Sequence, residues 1–140
     1  MHRIYIASAL SNKNKVDQLF SVIEAHHPVE FTYKWYEVGK VPKDAYLDVA
    51  SKELHGVLNA DVFIALLPGK KGTHTELGIA IATCPKVIVL GEEDDFEPVD
   101  EDNYPSIFYF LPMVERVVYD GTHEGLFKTG LKAFEQAIRR

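Results

Sequence analysis

One short segment carries residue types and a spacing that chemistry would need. It runs from Leu67 to Ala82, reads LPGKKGTHTELGIAIA, and joins an apolar run to a helix-like run. Gly69 and Gly72 permit a tight turn and a close approach of a ligand to the backbone. Glu76 follows in the predicted first helical turn, where the positive end of the helix favours an ionised carboxylate. Because an ionised carboxylate held beside a sugar can attack its anomeric carbon, Glu76 is a candidate nucleophile.

The same segment also fits a purely structural interpretation. Thr73 and Glu76 have the spacing of a capping box, in which the glutamate side chain binds the start of its own helix. Such a cap contributes about 1 kcal/mol to stability. Capping therefore predicts a small stability effect on substitution of Glu76, whereas a nucleophile predicts the loss of a reaction.

Two further side chains could act with Glu76. Glu53 lies at the edge of the apolar stripe of a helix-like segment, so burial would raise its pKa and suit it to general acid catalysis. A boundary glutamate that reaches solvent is the alternative. Tyr5 lies on a strand-like segment, where its hydroxyl could orient a carboxylate or its ring could simply pack in the core.

Other candidates concern substrate binding. Trp35 could stack on a nucleobase, although core packing explains this residue equally well. Lys70 could contact a phosphate or could simply be solvated. The six histidines lack metal-ligand spacing, and the chain contains neither a Walker motif nor a GxGxxG motif. We therefore expect no metal and no cofactor.

The surrounding elements predict where these residues meet. Strand-like and helix-like segments alternate, which predicts a flavodoxin-like, doubly wound parallel sheet of five strands in a three-layer α/β/α arrangement. The predicted strands are Ile4–Ala7, Val29–Tyr36, Val62–Leu67, Lys86–Leu90 and Val114–Tyr119. The predicted helices begin near Ser11, Asp44 and Thr73, and a last one carries the stripe Phe127, Leu131, Phe134 and Ile138. Two more sheet-facing stripes are predicted. On the first helix the stripe is Val16, Leu19, Phe20 and Ile23, and on the second it is Tyr46, Val49, Ala50, Leu54, Val57 and Leu58.

Ligands of such sheets bind outside the carboxyl ends of the strands, near the reversal in strand order. The loops after the first three predicted strands are therefore the expected site. Their candidate substrate contacts are Ser8, Trp35, Pro68, Lys70, Gly72 and Thr73.

Composition narrows the class of protein. A length of 140 residues predicts a single domain over 1–140, and 46% hydrophobic with 26% charged residues is typical of globular proteins. The net charge of −6 without a basic cluster argues against a nucleic-acid partner. No apolar run approaches the length of a membrane span, and no signal-like segment opens the chain. The single cysteine, Cys84, favours a reducing, cytoplasmic location.

At the candidate residues the sequence resembles the nucleoside 2-deoxyribosyltransferase family, including its deoxynucleoside 5′-monophosphate N-hydrolase branch. The resemblance covers most of the chain and rests on three segments, which are IYIA at 4–7, ELHGVLNAD at 53–61 and GTHTELGIA at 72–80. It implies that Glu76 is the nucleophile, that Tyr5 holds it in place, and that Glu53 occupies the position of the second acid, usually an aspartate. It also implies a homodimer or higher homo-oligomer whose sites a neighbour can complete.

Two departures from the family pattern bear on the substrate. Lys70 stands where the transferases often have a base-binding aspartate and the monophosphate hydrolases a phosphate-binding serine. A lysine can bind phosphate as a point charge, which favours a nucleotide and hydrolysis. Against this, the stretch from Ser8 to Lys13 lacks the Gly/Arg-rich turn typical of the monophosphate hydrolases.

We therefore expect cleavage of the N-glycosidic bond of a small-molecule nucleoside or nucleotide through a glycosyl-enzyme on Glu76, with the sugar passed to water or to another base. Three alternatives stay open. A cytokinin-type riboside 5′-monophosphate phosphoribohydrolase has a similar PGGxGTxxE-like segment, but its amino-terminal glycine-rich motif is missing here. A nucleotide-sensing module would bind without turnover. An NAD glycohydrolase would release nicotinamide.

The aromatic stretch from Tyr104 to Phe110 is a candidate oligomer contact, core segment or lid.

Overall fold

The computed structural model describes residues 1–140 and contains one sheet of five parallel strands. The strands are β1 (His2–Ala7), β2 (Val29–Phe31), β3 (Val62–Leu66), β4 (Lys86–Gly91) and β5 (Val114–Val118). Their order in the sheet is β2-β1-β3-β4-β5. The order in which strands are added to the sheet therefore reverses between β1 and β3. Every residue of β3 is buried, as a continuous apolar run in a central strand requires. The prediction of a five-stranded, doubly wound parallel sheet is confirmed.

Four helices cover the two faces of this sheet. They are α1 (Lys13–His26), α2 (Tyr46–Leu58), α3 (Lys71–Thr83) and α4 (His123–Arg139). Helices α1 and α4 pack together, and so do α2 and α3, which gives the three-layer α/β/α arrangement. None of the four is both long enough and apolar enough to cross a membrane.

The apolar stripe of α1 is buried as its spacing predicts, whereas the stripes of α2 and α4 differ from prediction. Helix α4 buries Phe134 fully, but Phe127, Leu131 and Ile138 are only partly buried, because the close approach of α1 at Gly130 selects small residues along the contact. Helix α2 turns Val49, Gly56 and Val57 to the sheet and leaves apolar side chains exposed on an adjoining face. These exposed residues are Tyr46, Leu47, Leu54 and Leu58.

Two predicted boundaries are wrong. The second strand ends at Phe31 rather than at Tyr36, because the Thr32 hydroxyl donates to the Gly56 carbonyl at 2.7 Å and the chain then leaves the sheet edge. Trp35 lies in a short 3₁₀ turn instead of a strand. The third helix begins at Lys71 rather than at Thr73, which changes the position of Glu76 within it.

A buried polar network ties together the loops that follow β1 and β3. The Ser8 hydroxyl donates to the Leu66 carbonyl at 2.7 Å, and the Asn12 amide donates to the Ser8 hydroxyl at 2.9 Å and to the Pro68 carbonyl at 3.3 Å. Both polar side chains are at least nine-tenths buried. Since buried donors and acceptors lose free energy when left unpaired, this network fixes the two loops relative to each other.

Removal of the Asn12 amide therefore has a defined cost. We expect Asn12→Ala to lower the free energy of unfolding by about 1–3 kcal/mol, because the Ser8 hydroxyl and the Pro68 carbonyl lose a buried partner. Chemical denaturation followed by circular dichroism measures this change. Asn14→Ala, at an exposed position of α1, is the matched control and should leave the unfolding free energy nearly unchanged. Equal effects of the two substitutions would contradict the proposed role of the network.

Candidate active site

Three side chains from three elements converge on the α2–α3 face of the sheet. The Tyr5 hydroxyl, on β1, donates a hydrogen bond to Glu76 Oε2, on α3, at 2.6 Å. Glu53, on α2, is near enough for its charge to raise the pKa of both Tyr5 and Glu76. Residues 71 positions apart in the chain thus meet because β1 lies beside β3, which leads into α3.

The Tyr5 ring is held rigidly. Its side chain is fully buried, the Phe63 ring lies parallel to it at a centroid distance of 5.9 Å, and the Phe31 ring meets it edge to face at 5.8 Å. Burial and the charge of Glu76 raise the pKa of Tyr5 far above its ordinary value. The phenol therefore keeps its proton and acts as a donor to the carboxylate.

The electrostatics of Glu76 differ from the expectation of a readily ionised carboxylate. Burial raises the pKa of Glu76 to about 8; the Tyr5 hydrogen bond lowers it, and the nearby Glu53 raises it. Because α3 begins at Lys71, Glu76 lies in the second turn rather than the first, farther from the positive end of the helix. Burial is the larger effect, so the surroundings disfavour the ionised form of Glu76 in the free protein.

The capping interpretation of Glu76 is wrong. The turn before α3 is closed by Thr73, whose hydroxyl accepts a hydrogen bond from the backbone N–H of Lys70 at 3.3 Å. The Glu76 carboxylate points to Tyr5 and not to its own helix end. Capping of its own helix therefore does not explain why Glu76 is a partly buried carboxylate that a side chain of another element holds.

Glu53 has the environment that its position in the sequence suggests. It lies on α2 between Val49 and Val57 and is half-buried, and burial raises its pKa. Tyr33, which the sequence analysis did not single out, lies nearby, and its pKa is raised by burial and by the charge of Glu53. Its position after the edge strand gave no sequence signal.

Trp35 and Ser8 are engaged by the protein itself. The Trp35 indole N–H donates to the Ile6 carbonyl at 2.7 Å, and only 9% of the residue is exposed. This packing leaves little of the ring free for stacking on a base. The Ser8 hydroxyl donates a hydrogen bond to the Leu66 carbonyl and accepts one from the Asn12 amide. Trp35 and Ser8 therefore shape the loops and do not present free polar groups to a ligand.

The start of α3 presents the remaining candidates to solvent. Pro68, Lys70 and Gly72 are exposed, whereas Thr73 is buried. A side chain at position 72 would meet open space, but a Cβ at Gly69 would lie 2.6 Å from Thr73 Cγ2. Gly69, and not Gly72, is therefore the glycine that the tight turn requires.

A cleft opens beside the turn that precedes α3. It is polar, measures about 390 Å³ and lies at the carboxyl ends of β3 and β4, between the Leu67–Gly69 turn and residues 94–105. His74 reaches it from α3 and shares a 2.6 Å hydrogen bond with the Tyr109 hydroxyl. Neither Glu53 nor Glu76 lines this cleft. No group of three or more potential ligand side chains is arranged to hold a metal ion.

Comparison with solved structures shows chains of the same fold. The chain is similar to a CMP N-glycosidase, BcmB, from Clostridium botulinum, with a TM-score of 0.63 and 20% identity over 90% of this chain and 96% of that one. It is similar to a conserved protein from Enterococcus faecalis V583, with a TM-score of 0.64 and 20% identity over 94% and 98% of the two chains. BlsM gives a TM-score of 0.70 and 18% identity over 99% and 93%. No protein-family model and no curated protein matches the chain.

The raised pKa of Glu76 links stability to pH. Because the folded-state pKa lies above the ordinary value of 4.5, the unfolded chain releases this proton first, and stability is lost as pH rises from about 4.5 to about 8. Glu76→Gln keeps an acceptor for Tyr5 but carries no charge. We expect its unfolding free energy to equal or exceed that of the wild type, with the difference growing by about 4 kcal/mol from pH 4.5 to 8.

Denaturation curves at a series of pH values measure this difference. Glu124→Gln, at an exposed position near the start of α4, is the control and should show no such growth. A difference between Glu76→Gln and wild type that stays constant across this range would mean that Glu76 is ionised without penalty.

Proposed function

We propose that this protein cleaves the N-glycosidic bond of a nucleoside or nucleoside 5′-monophosphate through a covalent glycosyl intermediate on Glu76. The observation that carries the proposal is the 2.6 Å hydrogen bond from the Tyr5 hydroxyl to Glu76 Oε2. It holds one mostly buried carboxylate in a fixed orientation, near a second, half-buried carboxyl group on Glu53. Two carboxyl groups in unequal environments are the arrangement that retaining glycosidases use.

The reaction proceeds through two displacements at C1′. First, an oxygen of ionised Glu76 bonds to C1′ while the C1′–N bond breaks, and the electron pair of that bond leaves with the base. Glu53, or a water molecule, gives the base its proton. Then water or another base attacks C1′, the ester bond to Glu76 breaks, and the attacking group releases its proton to Glu53 or to solvent.

The burial of Glu76 contributes directly to this chemistry. The sugar gains positive charge as the base leaves, and charges attract more strongly in water-poor surroundings than in water. A carboxylate that burial destabilises in the free protein is stabilised when that positive charge forms beside it. Tyr5 keeps its proton and favours the ionised form of Glu76.

A nucleotide is the substrate class that the surroundings favour. Lys70 is exposed just before α3, where the positive end of the helix and the lysine charge together suit a 5′-phosphate. One similar structure is a CMP N-glycosidase. We therefore place a nucleoside 5′-monophosphate ahead of a free nucleoside, and water ahead of a second base as acceptor.

A panel of nucleosides, their 5′-monophosphates and NAD tests the activity, with and without a free acceptor base. Chromatography measures the released base or nicotinamide. We expect base release from at least one monophosphate and a loss of at least about 100-fold in rate for Glu76→Ala, because the attacking group is removed. Glu124→Ala is the matched glutamate control and should retain the wild-type rate.

Three outcomes would contradict the proposal. Equal turnover by Glu76→Ala would leave Glu76 without a role in catalysis. Thermal stabilisation by a nucleotide without release of base would favour a sensing module. Nicotinamide release from NAD alone would move the substrate to the dinucleotides.

We also propose that the protein acts as a homo-oligomer in which a second copy covers α2. The exposed fractions of Leu47, Leu54 and Leu58 are 82%, 40% and 45%, and these residues share one outer face of α2. Apolar side chains at helical spacing on an outer face are typical of an interface. A second copy there would cover these side chains and bring its own residues beside the helix that carries Glu53.

Substitution of this face tests the proposal. We expect Leu47→Arg combined with Leu58→Arg to shift the molar mass measured by light scattering from that of an oligomer to 15.8 kDa, the mass of one chain, and to abolish turnover. Met113→Arg, at another exposed apolar position, is the control and should leave both unchanged. A wild-type protein of 15.8 kDa with full turnover would contradict the proposed oligomer.

A further inference from the structure

Gly56 lies where α2 makes its closest approach to the Tyr5 ring. A Cβ at this position would lie 3.0 Å from Tyr5 Cε2, 3.1 Å from Tyr5 Cδ2 and 3.0 Å from the Tyr33 Cβ. These distances are tighter than ordinary van der Waals contact between carbon atoms. A glycine in the interior of a helix also loses stability relative to alanine, by about 1 kcal/mol. Helix propensity disfavours a glycine at position 56, and the close packing against Tyr5 and Tyr33 explains why a glycine is nevertheless found there.

Neither side of this contact can yield freely. The Tyr5 ring is fully buried between Phe63 and Phe31. Helix α2 is tied at the same residue, because the Thr32 hydroxyl donates to the Gly56 carbonyl at 2.7 Å. An added methyl group would therefore press on the ring, and the ring carries the hydroxyl that binds Glu76.

We propose that Gly56 is a positioning residue, whose missing side chain lets α2 pack against the Tyr5 ring and keeps the Tyr5 hydroxyl on the Glu76 carboxylate. Its consequence for catalysis rests on the proposed role of Glu76 as the nucleophile. The contact itself does not depend on that role.

The test is an NMR titration of the Glu76 carboxyl carbon in protein labelled with ¹³C-glutamate, with the resonance assigned by its absence in Glu76→Gln. We expect Gly56→Ala to raise the pKa of Glu76 by about one unit, because the hydrogen bond that favours the charged form is weakened. Gly78→Ala is the matched control: it is also a glycine-to-alanine change within a helix, but a Cβ there meets open space. It should leave the titration unchanged.

A double-mutant cycle separates positioning from a general loss of packing. Tyr5→Phe keeps the ring and removes the hydroxyl, so Gly56→Ala should produce no further change in the Glu76 titration in that background. An equal shift with and without the Tyr5 hydroxyl, a shift shared by Gly78→Ala, or no shift at all would overturn the proposal.

A second variant replaces Gly56→Ala if that protein does not fold. Phe63→Leu removes the support on another side of the Tyr5 ring, so it should also raise the pKa of Glu76. An unchanged titration would overturn the proposal. The titration needs no turnover. Failure of the proposed function, seen as activity that survives Glu76→Ala, is therefore distinguishable from failure of this inference.

Discussion

The Tyr5 hydroxyl donates a hydrogen bond to Glu76, a carboxyl group whose pKa is raised by burial, and the surrounding packing maintains both the hydrogen bond and the burial. Burial raises the pKa of Glu76 to about 8, while the phenol favours its ionised form. Tyr5 remains a donor because a phenol keeps its proton at neutral pH, and burial raises the pKa of Tyr5 further. A group held between two protonation states near neutral pH is poorly suited to stabilising a fold and well suited to chemistry.

The parallel sheet brings Tyr5 and Glu76 within hydrogen-bonding distance of each other. Since β1 and β3 are neighbours, Tyr5 pairs in register with Phe63, and the loop after β3 leads into α3 with Glu76 one and a half turns along. The buried amide of Asn12 holds the loop after β1 against the loop after β3. The carboxylate is thus positioned by strand register and by loop packing rather than by its own helix, which distinguishes it from a helix cap.

Much of this arrangement could be predicted from the sequence because local patterns determine it. The alternation of apolar runs with helical spacing predicted the five strands, and the GTHTELGIA segment after a buried strand singled out Glu76. The pKa of Glu76 could not be predicted, because it depends on burial among side chains from β1 and α2. Core packing of Trp35 was one of the predicted alternatives, but its place in a 3₁₀ turn was not predicted, because an edge strand can end wherever a side chain, here Thr32, pairs with another element. Gly56 carried no signal, since a glycine within a helix indicates a close contact only when the contacting ring is known.

Helix α2 illustrates why periodicity alone is ambiguous. Its apolar positions were assigned to one sheet-facing stripe, yet Val49 and Val57 face the sheet while Leu54 and Leu58 remain exposed. Periodicity indicates that a side chain is covered, but it cannot say whether the cover is the same chain or another one. Glu53 lies between Val49 and Val57, on the sheet-facing side of the helix, and there burial by the same chain raises its pKa.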